Sequence, residues 1–527
     1  MPQSDSHAAR MTDSGPDLIE LRIFESRAAA ICETMGAVLR RSAFSPNIRD
    51  RLDFSCALFS ADGRLLSQAT HIPVHLGSMA WAMRDLADSY DWHPGSRLIL
   101  NDPYAGGTHL PDVTLIAPVF DSGACVGFVA NRAHHADIGS DTPGSMPLSR
   151  SLEEEGVLIS PQWLYRDGRL DRDVLDGICR RMRNPELSAG DFQAQVAASA
   201  FGEKAFGALV AELGRDRLDE FAEALNDYAA RLASASISDL PEGRWQATDC
   251  MDCDGAGGPG PSIRVALRVR GGRIEVDFDG TDDQVAGNLN CPMSVTAAAV
   301  YYALRCLLPA ETPTCAGALD CMHLTAPAGC LVNARSPAAT AAGNVETSQR
   351  IVDVVFRALA EALPDRIPAA SQGTMNNLGL GGKRWSYYET MAGGCGATAE
   401  VPGRHAVHSH MTNTLNTPAE VLEMHFPLRI LRYQYRRGSG GQGQCAGGDG
   451  LVREFEFLEP TQATLITERR RNAPWGLAGG DSGSRGRNLL DGRELPSKIS
   501  IDVDAGQVLT IETPGGGGHG NPDEVAT

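Results

Sequence analysis

An α+β chain of several domains is the class this sequence predicts, on three observations. Its 527 residues exceed what one compact core organises, which sets an expectation of about two to four domains. Helical and strand patterning are segregated along the chain. Residues 185–236 are dense in Ala, Leu, Glu and Gln, whereas 262–280 alternate apolar and polar side chains. The last hundred residues combine strand-like runs with glycine-rich stretches. The expected architecture is therefore mixed sheets with flanking helices and a Gly-rich, β-dominated C-terminal part.

Residues 1–16 read as a disordered tail. Pro16 suits the first turn of an amphipathic helix over 17–43, in which Leu21, Phe24, Ala28, Ile31, Met35, Val38 and Leu39 recur at helical spacing. Next, Phe54, Cys56 and Leu58 alternate with Ser55, Ala57 and Phe59 before an A-D-G turn. Asp53 thus stands just ahead of a strand that opens a hairpin. HIPVHLGSMAWAMRDL (71–86) leads into another helix, and 151–168 read as loop and strand. Residues 185–236 should form two long helices broken near Gly214. DLPEGRW (239–245) and GAGGPGPS (255–262) mark a composition shift, so an N-terminal domain is placed at 17–240. An α/β middle domain follows at 241–424. It starts with a hairpin of 262–269 and 273–280 joined through Gly271 and Gly272, and has helices over 294–308 and 346–362. Residues 425–527 form the Gly-rich β region, where the loop Gly438–Gly450 reads as surface turns.

Charge and composition exclude several functions. With 47 basic and 66 acidic residues, the net charge of −19 argues against nonspecific binding to nucleic acid or to an anionic membrane. The basic runs RYQYRRG (432–438) and ERRR (468–471) read as solvated surface. The apolar run VTAAAVYYAL (295–304) falls short of the ~20 residues of a membrane span. The N-terminus lacks the basic start and apolar core of a signal peptide, and thirteen cysteines read as cytosolic thiols, so a cytoplasmic protein is expected. Cys250 and Cys253 have zinc-like spacing, but no second C-x-x-C accompanies them.

The chemistry concentrates in 101–147. N-D-P-Y-A-G-G-T-H-L-P-D and H-H-A-D flank an apolar strand-like run, which puts His109, Asp112, His134, His135 and Asp137 at the ends of two neighbouring strands. Divalent cations take imidazole nitrogen and carboxylate oxygen supplied by a few rigid elements, so these clusters read as a metal site. Pro111 disfavours a helix between His109 and Asp112 and suggests a loop presenting both. In an extended strand 135 and 137 share a face and 134 points the other way, so spacing does not choose between His134 and His135. Asp53 or Asp50 could add a further oxygen, and Asp102, ahead of Pro103, reads as a turn cap. A nucleotide site is missing. The nearest fragment to a P-loop, LGLGGK (378–383), has Asn377 in place of the first glycine and Arg384 in place of the hydroxyl.

NIRDRLDFSCALF, HIPVHLGSM, NDPYAGGTHLPDVTLIAPVF, NRAHHADIGSDTPGSMP, GNVETSQRI, SQGTMNN, HMTNTLNTPAEVLE, YRRGSGGQGQCAGGDGLVRE and TPGGGGHGNP, in that order, resemble the hydantoinase B/oxoprolinase family over nearly the whole chain. The resemblance implies a B-type subunit that contains a divalent metal (zinc or manganese). It works with an A-type, ATP-binding subunit, which supplies ATP-Mg and phosphorylates the substrate. Family members open cyclic amides such as hydantoins, 5-oxoproline and lactams, and relatives carboxylate ketones. Ring opening is the activity expected here, with ketone carboxylation or a non-catalytic subunit holding a structural metal as the alternatives. Carried over by motif, the metal ligands would be Asp53, His109, Asp112 and His134, while His135 and Asp137 would move protons. Ser140 stands where the family often has a second glycine. The implied assembly is a cytoplasmic hetero-oligomer.

Overall fold

The computed structural model describes residues 15–69, 71–383 and 385–524. The tail expected over 1–16 lies outside them up to Ser14, as does Arg384. Helix α1 (Leu18–Ser42) is fixed at its start by a capping box, in which Asp17 accepts from the amides of Ile19 and Glu20 while Glu20 accepts from the amide of Asp17. Its stripe of Leu21, Phe24, Ala28, Met35 and Leu39 is buried. The short α2 (Pro46–Arg49) leads into β1 (Phe54–Ser60) and β2 (Leu65–Gln68), the hairpin expected after Asp53. Then come α3 (Pro73–Ser89), β3 (Arg97–Leu100), β4 (Asp112–Asp121), β5 (Ala124–His134), β6 (Gln162–Arg166) and β7 (Arg169–Leu170). The seven strands form one sheet in the order β2-β1-β5-β4-β3-β6-β7, with β4 and β5 central. The helices α4 (Arg172–Cys179), α5 (Pro185–Leu213) and α6 (Arg215–Ser238) follow, and the break between the last two falls at Gly214 (φ 80°). Both faces of the sheet are buried, one of them under α1 and α5.

The second half adds three sheets. β8 (Gly243–Cys250), β9 (Ser262–Arg270), β10 (Arg273–Asp277) and β11 (Met322–Thr325) are ordered β11-β10-β9-β8 and are covered by α8 (Ser348–Ala362). In chain order α7 (Met293–Arg305) precedes α8 and packs against both α8 and α3. The remaining elements are β12 (Asn377–Gly381), β13 (Ser386–Glu389), α9 (Ala419–His425), β14 (Leu428–Arg436), β15 (Gly450–Phe457), β16 (Thr461–Ile466), β17 (Arg487–Leu490), β18 (Arg493–Leu495), β19 (Lys498–Val503) and β20 (Val508–Glu512). They make a sheet β13-β12-β16-β19 and a sheet β14-β15-β20-β17-β18. Leu380, Leu465 and Val503 of the first share a core with Phe455, Leu509 and Ile511 of the second. The largest core joins Ile72, Val74 and Met146 to Val295, Ile351, Val355 and Ile466, so α3 and the loop before it pack on the second half of the chain. No helix of the described residues is long and apolar enough to cross a membrane.

Two expectations change. The ERRR run is solvated only at its end, where Arg471 is exposed. Glu468 and Arg469 are buried, and Arg469 pairs with Asp249 (2.8 Å) and with Asp353, since a buried guanidinium requires carboxylates. The Gly438–Gly450 loop is not a set of surface turns either. It interlocks with the tail, through Gly516 N to Gly448 O (2.9 Å) and Gly441 N to Gly516 O (2.9 Å), and with the loop after β13, through Gly448 N to Cys395 O (2.8 Å). A Cβ on Gly516 would stand 1.9 Å from Cys395 O, and one on Gly448 1.9 Å from Arg404 O, so backbone occupies the volume a side chain needs. Gly516→Ala should therefore destabilise the fold by about 3 kcal/mol in urea titrations. Gly177→Ala, in α4 with nothing within 4 Å among the described residues, should stabilise by about 0.5–1 kcal/mol.

Candidate metal centre

Antiparallel pairing builds the site. Asp112 opens β4 and His134 closes β5, and the register sets the two directly opposite each other. A turn with Asp112 N bonded to His109 O (3.0 Å) folds His109 back over the strand end. The amide of His134 donates to Asp53 O (3.0 Å), which ties β5 to the residue ahead of β1. Upstream, Asp102 accepts from Tyr104 N (2.9 Å) and caps a 3-10 turn over Pro103–Ala105, the turn role read from its place before proline.

Asp112 is the hub. Its Oδ1 lies 3.2 Å from His109 Nε2 and 3.1 Å from His134 Nδ1, while its Oδ2 receives Thr108 Oγ1 (2.6 Å) and Asn344 Nδ2 (3.1 Å) and lies 3.2 Å from His75 Nε2. His109, Asp112 and His134 offer ligand atoms that all lie within 4.8 Å of one another, and all three residues are buried. His109 Nδ1 faces Ala341 O (3.1 Å), and a carbonyl only accepts, so Nδ1 carries the proton and Nε2 is left as a lone pair. The same argument applies to His134, whose Nδ1 faces a carboxylate. Neither Nε2 has a hydrogen-bond partner among the described residues. Two buried imidazole lone pairs beside a carboxylate form a donor set suited to a divalent cation.

Electrostatics agree. Against the cost of burial, the nearby His109 and His75 and the hydrogen bond from His134 hold the Asp112 carboxyl well below the usual carboxylate range. Burial lowers His134, which favours the neutral, ligating form. Burial works against a proton on His109, yet the Asp112 charge raises its pKa, so a proton and a cation compete for its Nε2. Behind His109, Glu155 is pushed up to about 7 by burial and accepts from the amides of Thr340 and Ala341, fixing the carbonyl that orients the ring. His134 stacks on Tyr388 (centroids 4.7 Å apart), whose hydroxyl donates to Asn377 Oδ1 (2.7 Å). Asn377 in turn donates to Glu346 (2.6 Å). Burial, then the charge of Glu468, push Glu346 up to about 8.

The other residues singled out in the sequence lie around this group. Asp53 is buried, with its carboxylate 3.8 Å from Arg51 Nη1 and 3.5 Å from Asn47 Nδ2, and falls outside the three-residue cluster. Asp50 pairs with Arg49 (3.0 Å). His135 occupies the opposite face of the strand end, stacked on Phe192 and 3.0 Å from Gln195 Oε1. Asp137 accepts from the amides of Gly139 (3.1 Å) and Arg183 (2.6 Å) at the entry to α5. Ser140 donates to Glu154 O (3.3 Å). Cys250 and Cys253 belong to no three-residue ligand group among the described residues. His75, Thr108 and Asn344 were not singled out. The proximity of Thr108 to His109 was a usable signal, but nothing local marks Asn344, 232 residues from Asp112.

A mixed α/β architecture with a buried His–Asp–His centre defines the class. The family model described as hydantoinase B/oxoprolinase matches residues 17–522, and the chain belongs to that family. A Methanocaldococcus jannaschii protein of unassigned activity is 39% identical, over 96% of this chain and 91% of its own. The 5-oxoprolinase 1 of Arabidopsis thaliana is 38% identical over 98% of this chain, which spans 42% of that longer protein. The crystal structure of the ATP-dependent caprolactamase from Pseudomonas jessenii superposes with a TM-score of 0.90 at 26% identity, covering 97% of this chain and 92% of that one.

Two measurements follow. Thr108→Val, which removes one bond to Asp112, should weaken divalent-cation binding by about 10–100-fold in calorimetric titrations, whereas His135→Ala should leave it unchanged. Because Glu346 titrates near 8 in the fold against 4.5 ordinarily, its contribution to stability is full below pH 4.5 and is lost as pH rises through 8. Glu346→Gln should flatten that part of the stability–pH curve in denaturant titrations.

Proposed function

We propose that this chain is the metal-holding B-type part of an ATP-dependent amidohydrolase that opens a cyclic amide. The ring would be a hydantoin, 5-oxoproline or a lactam, activated beforehand by phosphorylation on an A-type, ATP-binding subunit. One observation carries the reading: in a member of this family, the buried residues His109, Asp112 and His134 bring ligand atoms within 4.8 Å of one another, and the Nε2 atoms of both histidines have no hydrogen-bond partner among the described residues. The names of the relatives, 5-oxoprolinase and ATP-dependent caprolactamase, support the substrate class and the need for ATP.

In this reading His109, Asp112 and His134 hold a zinc or manganese ion, with Asp53 closing on it from the strand ahead. The ion, when bound, supplies an acidified water and polarises the carbon–oxygen bond under attack. Thr108, His75 and Asn344 keep Asp112 ionised and aimed. Tyr388 limits rotation of the His134 ring by stacking. The proton-moving role read for His135 and Asp137 carries a condition, because both groups already have partners: His135 would act through Gln195, and Asp137 would first leave the Arg183 amide. The working unit is then a cytoplasmic hetero-oligomer, and this chain needs no nucleotide site of its own.

The test is reconstitution with an A-type subunit and a screen of hydantoin, 5-oxoproline and lactams for ATP-coupled ring opening. His109→Ala should lower turnover more than about a hundredfold while gel filtration shows the two subunits still associated. Full activity in that variant, or loss of association with no loss of metal, would sink the reading.

A further inference from the structure

A cavity of about 370 Å³ lies where α2, the residues after β5 and the start of α5 meet β13 and α9 of the second half. Junctions of this kind, at volumes of about 300–1,000 Å³, are where small cyclic molecules bind. Its inner end abuts the metal centre. Tyr388 lines the cavity and stacks on His134 (centroids 4.7 Å apart), and Asn47 lines it while donating to His134 O (2.7 Å). Asn47 Nδ2 also stands 3.5 Å from the Asp53 carboxylate. His135 and Asp137, which stand apart from the His109–Asp112–His134 group, are both on this wall.

The wall is aromatic. Aromatic residues make up 6% of the chain, yet Phe44, Trp385, Tyr387, Tyr388 and Phe426 all border this one space. Phe426 packs on Trp385 (centroids 5.4 Å apart) and on Tyr387 (5.0 Å), and Trp385 Nε1 donates to Glu459 (2.8 Å), which fixes its ring. Rings held by their neighbours present flat faces at set positions, and those faces suit a planar apolar group. At the mouth, Phe44 is 58% exposed and Leu187 38%, so apolar surface stands in water there until something covers it.

Charge on the same wall is balanced. Its carboxylates, Asp137 and Asp191, are offset by the guanidinium groups of Arg49 and Arg183. Each aspartate is already met by main-chain amides, Asp137 by those of Gly139 and Arg183, and Asp191 by those of Phe44 (2.7 Å) and Ser45 (3.1 Å). Arg49 pairs with Asp50 (3.0 Å), and Arg183 donates to the backbone oxygen of Asp141. The described lining residues therefore hold no excess of cations over anions for an entering carboxylate. Such a group would give up its water without a surplus counter-charge, whereas an uncharged apolar group loses nothing on entry.

We propose that this cavity holds an uncharged, apolar substituent of the cyclic amide, an inference that rests on the ring-opening reading above. The substituent lies against the aromatic wall, and the ring that bears it lies at the inner end, beside Asn47 and Tyr388. Phosphorylation of the carbonyl oxygen leaves such a substituent unchanged, so the cavity recognises the activated ring as well as the free one. His135 and Asp137, on the same wall, then touch the substrate without touching the ion. Rings that carry a carboxylate in the same position, as 5-oxoproline does, are disfavoured.

The test uses the purified full chain, its metal content measured, and three lactams of one ring size followed by ligand-observed NMR titration: 2-pyrrolidinone, 5-oxoproline and 5-phenyl-2-pyrrolidinone. The phenyl-bearing ring should bind at least about tenfold more tightly than either of the others, as expected for burying one phenyl group against apolar walls. Leu187→Trp fills the mouth and Phe426→Ala removes part of the wall, and neither residue belongs to the metal centre. Each variant should bring the three affinities together with metal content unchanged. Equal binding of all three rings by the wild-type chain, tighter binding of 5-oxoproline, or a phenyl preference that persists in both variants overturns the proposal. The ring-opening reading is judged separately, by ATP-coupled turnover after reconstitution with an A-type subunit. Turnover without a phenyl preference in binding leaves that reading standing and removes the cavity's role, and absence of turnover throughout the screen described above removes both. The wild-type comparison depends on no variant, so it decides the question even where a variant does not fold.

Discussion

A single buried carboxylate, that of Asp112, organises the site. An ionised group in an apolar interior is tolerated when its lone pairs are met, and here five groups converge on it: His75, His109, His134, Thr108 and Asn344. Those five partners constrain four separate pieces of chain. His75 fixes the start of α3, Thr108 and His109 the loop before β4, His134 the end of β5, and Asn344 the π-turn (Gly343–Thr347) that leads into α8. The two histidine lone pairs have no substitute partners among the described residues, so the arrangement is poised for a cation.

Much of the fold was legible from periodicity. The break between α5 and α6 falls at Gly214, the hairpin of β9 and β10 turns at Gly271 and Gly272, and α1 spans Leu18–Ser42 against the 17–43 read from spacing, with Asp17 as its cap and Pro16 outside the first turn. These features depend on neighbours a few residues away. The site was legible to the extent that its residues cluster in sequence: His109, Asp112 and His134 lie on adjacent strand ends because one hairpin carries them. Pattern alone could not choose between His134 and His135. The register decides the orientation, since His134 stands opposite Asp112 and faces it while His135 turns to Phe192 and Gln195. Asn344 was out of reach, because its approach to Asp112 is a tertiary contact and its π-turn has no signature in a single sequence.

The Gly438–Gly450 loop was misread for a related reason. Glycine in a loop usually signals conformational freedom, and a run of glycines suggests exposed turns. Here Gly448 and Gly516 are selected by close backbone approach, and they sit in layers where carbonyls occupy the places of side chains. The same composition can describe a mobile surface or a packed interior, and the partner strand decides which. The ERRR run repeats this lesson with charge: Arg469 is satisfied by Asp249 and Asp353, far away in the chain.

The long-range contacts that brace the His–Asp–His group have a consequence for how the protein is made. Arg51 meets Thr414 across 363 residues, and Asp112 meets Asn344 across 232. Contacts of such separation form late, because the entropy of closing those loops must be met before they contribute. During synthesis the strand ends bearing His109 and His134 emerge long before the residues that brace them. The His109–Asp112–His134 group is therefore completed only when the second half of the chain has folded, so its geometry depends on residues made last.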